Sequence, residues 1–200
     1  MRTVTTILYT FEELSEQAQK KAIEDHRYIN VDNDHWYEWI IDNFKEKLEK
    51  LGYTNPEVEF TGFGSQGDGA CYTSGFDNST ENLYRLLPQL KNVRPIIFEL
   101  IQDLSEFYLK KRTYQYSHEF TVSIDYTIDL NDYFIERYPR MNRLVMDLLD
   151  ELDRAMNRER VALCRELYSE LQDQYFTLMD DNEVAQSLIE LEFEFEDYNR

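Results

Sequence analysis

An α+β fold is what this sequence predicts, and three observations carry the prediction. Residues 116–130 alternate apolar and polar side chains, the period of a half-buried strand. Several other stretches place apolar residues three to four apart between polar caps, the period of helices. Between two β-rich runs lie four of the six glycines in the chain, a turn signal that joins the runs as a hairpin. The expected architecture is an antiparallel sheet with helices packed mainly on one face. At 200 residues the chain is expected to form a single domain over 1–200, burying roughly 70% of its unfolded surface.

The elements follow in order. Residues 3–9 favour a strand through Thr, Val and Ile. Thr10-Phe11-Glu12-Glu13 has the form of a capping box, with a helix expected to run on to about 28. Asp32 or Asn33 can cap a second helix carrying Trp36, Trp39, Ile40, Phe44, Leu48 and Leu51, and Gly52 suits its left-handed end. Trp36, Tyr37 and Trp39 read as core anchors. Strands are expected at 58–63 and 71–76, joined by the glycine turn. A short helix over 83–90 breaks near Pro88, and Pro95 opens a longer helix expected to reach Arg112. In the 116–130 strand, Tyr116, His118, Phe120, Val122, Ile124 and Tyr126 would share the buried face. Residues 140–178 read as one long helix or two in series, and Asp181 or Asn182 caps a last helix to about 189. Leu191-Glu192-Phe193-Glu194-Phe195-Glu196 closes the pattern as a strand.

Charge narrows the function. Forty acidic residues against 21 basic ones leave a net charge of −19. Such a chain repels phosphate, so neither direct nucleic-acid binding nor an anionic membrane is expected; the acidity either attracts a basic protein surface or serves only solubility. The acidity is concentrated. Residues 140–165 hold six arginines and are nearly neutral, whereas from Glu166 onward eleven acids face Arg200 alone, defining an acidic C-terminal helix–strand segment from about 166. There is no run of ~18 apolar residues. The short apolar stretch after Met1-Arg2 predicts no signal peptide. Cys71 and Cys164 stand far apart, outside any C-x-x-C pair, which suits a reducing cytoplasm.

Residue constellations for chemistry are sparse, so no catalytic residue, metal or cofactor is assigned and a non-enzyme is expected. Gly64-Ser65-Gln66-Gly67-Asp68-Gly69 could hold a ligand or partner through an amide nest, or serve only as a hairpin turn. It lacks the Gly-Lys-Ser/Thr of a P-loop, and a strand rather than a helix follows it. Cys71 beside His118 would be needed for nucleophilic catalysis. His26 and His35 have acids nearby and suggest surface pairing. Glu24, Asp25, Asp32 and Asp34 lack the spacing of a calcium loop. Glu192, Glu194 and Glu196 would form a like-charged row on one strand face, which could imitate part of a phosphate ladder or protect a sheet edge from aggregation; with Glu183, Glu190 and Asp197 they are the candidate acidic docking face.

Phe11-Glu12-Glu13-Leu14-Ser15 opening a helix, the Trp-bearing second helix and F-T-G-F-G-S-Q-G-D-G-A over 60–70 resemble a family of small proteins encoded by phages and prophages. That family carries a motif close to F-S-G-F-W-S-Q-G-D-G-A, ends in an acidic helix and an E-F-rich strand as 180–196 does here, and is sometimes labelled antitoxin-like. Gly64 stands where the family has Trp. The resemblance implies a non-structural protein made in an infected cell. Together these readings lead to an acidic protein of the host-cell cytoplasm that binds and inhibits or modulates a host protein. A nucleic-acid-handling or defence factor is expected as the target, as for anti-CRISPR or anti-restriction proteins. A nucleotide-binding module using the 64–69 loop and an antitoxin neutralising a partner toxin are the alternatives.

Overall fold

The computed structural model describes residues 6–33, 35–113, 116–128 and 138–196. The fold is α+β, and its residues divide into two compact units: Met1–Trp39 with Glu170–Arg200, and Ile40–Ser169.

The first unit begins with strand β1 (Leu8–Thr10) and a single 3-10 turn at Phe11–Glu13. The Thr10 amide donates to the Glu13 carboxylate at 2.9 Å, as the capping box predicts. The chain does not run on from there as one helix. Leu14 turns extended, and Ser15 caps helix α1 (Glu16–Asp25) afresh by accepting from the Ala18 amide. The C-terminal residues return with helix α6 (Asp181–Glu190), capped by Asp180, and strand β6 (Glu194–Glu196). Strands β1 and β6 pair antiparallel, with Tyr9 opposite Phe195 and Thr10 opposite Glu194. Phe11, Leu14, Ala18, Ala22, Val184, Leu188 and Phe195 make the buried core. Arg27 ties the two segments by bridging Glu24 and Asp181 and donating to the Met179 carbonyl. Trp36 packs near Tyr175, but Trp39 is half exposed and anchors no core.

The second unit holds a four-stranded antiparallel sheet in the order β2 (Tyr53–Thr61), β3 (Gly69–Phe76), β4 (Ser105–Lys111), β5 (Val122–Ile128). The expected hairpin is β2–β3, with Phe60 opposite Ala70 and a bulge between Thr54 and Glu57, where Asn55 takes φ 48°. Helix α3 (Thr80–Leu86), a 3-10 turn at Pro88–Asn92 and helix α4 (Pro95–Leu104) lie between β3 and β4. Tyr53, Tyr72, Phe76 and Phe107 meet on one sheet face, where Phe44 of helix α2 (His35–Lys50) packs edge-on to Tyr72. Helix α5 (Pro139–Leu178) is one uninterrupted helix, and its residues up to Ser169 belong to this unit.

Two expectations fail here. The helix from Pro95 stops at Leu104 rather than Arg112, because Ser105–Lys111 is recruited as β4 by pairing along its whole length with β5. Its buried Ser105, Phe107 and Leu109 alternate with Glu106, Tyr108 and Lys110, a period of two beneath a passable helical spacing. The strand expected from 116 begins only at Val122. His118 to Thr121 form a turn, in which Thr121 N–H donates to the His118 carbonyl at 2.9 Å. Ser117 and Thr121 are buried, while Phe120 is exposed. Positions 129 and 130 of that expected strand, like 3–5 of the first, lie outside the described residues.

Candidate functional site

Helix α6 ends in a turn that shapes a groove in the first unit. Phe193 N–H donates to the Leu188 carbonyl and Glu192 N–H to the Ile189 carbonyl, each at 3.0 Å, while Glu192 sits in the left-handed region at φ 50°. This is a Schellman stop, and the residue that takes the left-handed position in such stops is usually glycine. Phe193 and Leu188, the apolar pair that goes with the motif, form the floor of a groove of about 380 Å³ with Ile189. Glu12, Glu192 and Glu194 stand around that floor, and all three are exposed. Behind it, the His26 ring lies edge-on to Phe193 and Phe195, and its Nδ1 meets the Ala22 carbonyl at 3.1 Å. The expected surface pairing with acids therefore holds for His35, which reaches Glu38 at 3.2 Å, and not for His26.

The candidate acidic face is thus partly redistributed. Glu192 belongs to the turn and not to a strand, so the row of three shortens to Glu194 and Glu196 on β6. Glu183 and Glu190 are exposed on α6, where Glu190 accepts from the Gln186 amide. Asp197 lies outside the described residues. Glu12 was missed by sequence reasoning. The capping box needs only Glu13, and the leftover acid beside it was the available signal. The unit as a whole holds 18 Asp and Glu against 5 Lys and Arg, a net of −13 out of −19 in the chain.

The glycine hairpin in the second unit is filled by its own aspartate. Asp68 Oδ2 accepts from the Gly64 amide at 2.8 Å and the Ser65 amide at 2.6 Å, so the donors of an anion nest already meet a carboxylate. Gly67, at φ 100°, leaves room for Tyr116: a Cβ there would come within 2.8 Å of the ring. At Gly69 a Cβ would lie 2.4 Å from that of His118. The glycines thus let the 116–121 turn lie against the hairpin. Phe63 stacks between Phe60 and Tyr168, and Tyr168 donates to the Gly62 carbonyl at 3.2 Å. Gly64 faces open space, and Gln66 is exposed.

Two polar networks complete the second unit. Lys111 pairs with Glu59 and donates to Ser117 Oγ at 3.0 Å, and Ser117 in turn donates to Glu59. Cys71 is buried beside this network, and burial pushes its thiol up. His118 Nδ1 accepts from the Phe120 amide within its own turn. Burial likewise pushes the Cys164 thiol up, to about 12. On the helix-covered face, Arg85 grips Glu159 with both terminal nitrogens, and Tyr53 donates to the same carboxylate at 2.9 Å. Desolvation, reinforced by Glu159, raises the Tyr53 hydroxyl far above its ordinary range. Among the described residues no group of three His, Cys, Asp or Glu could hold a metal, and no helix is long and apolar enough to cross a membrane.

A family described as "Domain of unknown function (DUF8835)" matches residues 36–181. The chain belongs to the DUF8835 family. No curated protein and no solved structure matches it. The DUF8835 span contains the glycine hairpin and the whole sheet of the second unit. Glu12, Glu192 and Glu194 lie outside it.

Proposed function

We propose that this protein works by binding, and that the groove of Glu12, Glu192 and Glu194 docks a basic surface of a partner protein. The observation that carries the reading is Glu192. A carboxylate occupies a left-handed position that glycine would fill with less strain, and it stands on the rim of an apolar groove with two further carboxylates. Lysine and arginine suit such a groove, because their methylene stems cover apolar floor while their heads meet the rim. The −13 charge of the unit adds long-range steering, which speeds encounter with a basic face and weakens with salt. The resemblance to phage-encoded proteins supplies the setting: a host nucleic-acid-handling or defence factor, whose phosphate-binding surface the acidic groove would occupy and inhibit.

The test is capture from host lysate with the wild-type chain and with E12Q/E192Q/E194Q, followed by binding of the purified, identified partner. A basic partner retained at low salt, lost at high salt and lost with the triple variant is expected. Equal retention by the triple variant would refute the docking site.

A further inference from the structure

In a chain dominated by acids, one groove is lined, among the described residues, by two arginines and no acid. Arg94, which precedes α4, and Arg140, in the first turn of α5, come together on it. Arg94 and Arg140 line a groove of about 450 Å³ whose other walls include Val93, Ile97, Met141 and Leu144. Among the described residues no hydrogen bond or ion pair reaches either guanidinium, although the chain holds nearly two acids for every base. Exposed Ile96 and Tyr138 flank these residues in sequence, and Leu144 itself is exposed. Arginine, methionine and tyrosine beside open apolar surface are the residues that concentrate in protein interfaces. A guanidinium fork is also shaped for carboxylates.

The first unit offers the matching surface: the carboxylates of Glu12, Glu192 and Glu194 around Leu188, Ile189 and Phe193, with Leu191 exposed beside them. Both grooves are apolar at the floor and opposite in sign at the rim. We infer that the occupant of the Arg94–Arg140 groove is a second copy of this chain, which inserts its Glu192–Glu194 rim in a head-to-tail contact. Such a contact is heterologous: each copy uses one groove of each kind, and terminal copies keep one open. It engages the same acidic groove as the proposed partner, so partner binding would dissociate the self-assembly. The inference does not rest on that partner existing.

Sedimentation velocity across a concentration series tests it. The wild-type chain should sediment faster as concentration rises. R94E/R140E and E192R/E194R should each associate at least tenfold more weakly. An equimolar mixture of the two variants should associate again, because the intact acidic groove of one meets the intact arginine groove of the other. Far-UV circular dichroism verifies that both variants are folded. A wild-type chain that stays monomeric throughout, or an R94E/R140E variant that associates as the wild type does, overturns the inference. Loss of self-association in R94E/R140E with partner binding retained separates this contact from the docking proposed above.

Discussion

Replacing Glu192 by glycine should make the protein more stable and a poorer binder. Glu192 closes the Schellman stop of α6 at φ 50°, a conformation that costs a residue with a Cβ about 1–2 kcal/mol relative to the right-handed regions. Glycine adopts it without that penalty but loses about 0.5–1 kcal/mol more backbone entropy on folding. The difference leaves a net gain of roughly 0.5–1 kcal/mol, to which relief of repulsion with Glu12 and Glu194 adds a little. Both tryptophans, Trp36 and Trp39, belong to the first unit, so urea unfolding followed by tryptophan fluorescence reads this change where it occurs. Binding to the basic partner should weaken about five- to tenfold, the ~1 kcal/mol of one partly exposed ion pair. Glu192→Asn serves as control: it tolerates the left-handed region and lacks the charge, so it should weaken binding equally with a smaller gain in stability. If Glu192→Gly lowers stability, the backbone argument is wrong. If it binds as the wild type does, the carboxylate is not held there for docking.

Four further outcomes are expected. Arg85→Met and Glu159→Leu should each cost about 2–4 kcal/mol in urea unfolding followed by circular dichroism, since each strands a partly buried charge; the double variant should cost clearly less than their sum, and simple additivity would count against the pair. Asp153→Asn should raise the melting temperature at pH 7, because burial and then Asp150 lift the Asp153 carboxyl above its usual range. A raised folded-state pKa makes the ionised form a burden above it, so the advantage should shrink as pH falls toward about 4, and an advantage that grows with acidity would refute this. Cys71 and Cys164 should resist iodoacetamide at pH 8 until the chain unfolds, and rapid labelling of native Cys71 would reopen a nucleophilic role. Gly67→Ala should destabilise by at least about 1 kcal/mol, because φ 100° and Tyr116 both oppose a Cβ; a neutral outcome would show that the turn can yield.

The local signals were legible wherever neighbours in sequence decide the structure. The α5 stripe from Val145 through Leu171 keeps the helical period, Gly52 ends α2 as expected at φ 88°, and the glycine cluster joins β2 to β3. These depend on backbone torsion and on contacts within a few residues, which composition and spacing encode. Misreadings arose where two periods coexist. Ser105–Lys111 carries leucine and phenylalanine at spacings that fit a helix, and only register with β5, Phe107 opposite Tyr126, makes it a strand. Residues 116–121 alternate on paper, yet Arg160, buried on α5, takes the Glu119 carbonyl and holds the segment in a turn.

That the chain would be acidic, α+β and concentrated in charge toward its C-terminal segment was determined by the sequence alone, because charge and period are properties of the residues themselves. Which of those charges meet was decided by tertiary structure. Thr10 and Glu194 face each other across β1 and β6 although most of the chain separates them, and this pairing brings Glu12 to the rim that Glu192 and Glu194 share. Asp68 turning back onto the Gly64 and Ser65 amides likewise decided what fills the glycine loop. Sequence supplies the groups, but which groups meet depends on the free energy of packing segments remote along the chain, and no local spacing contains it.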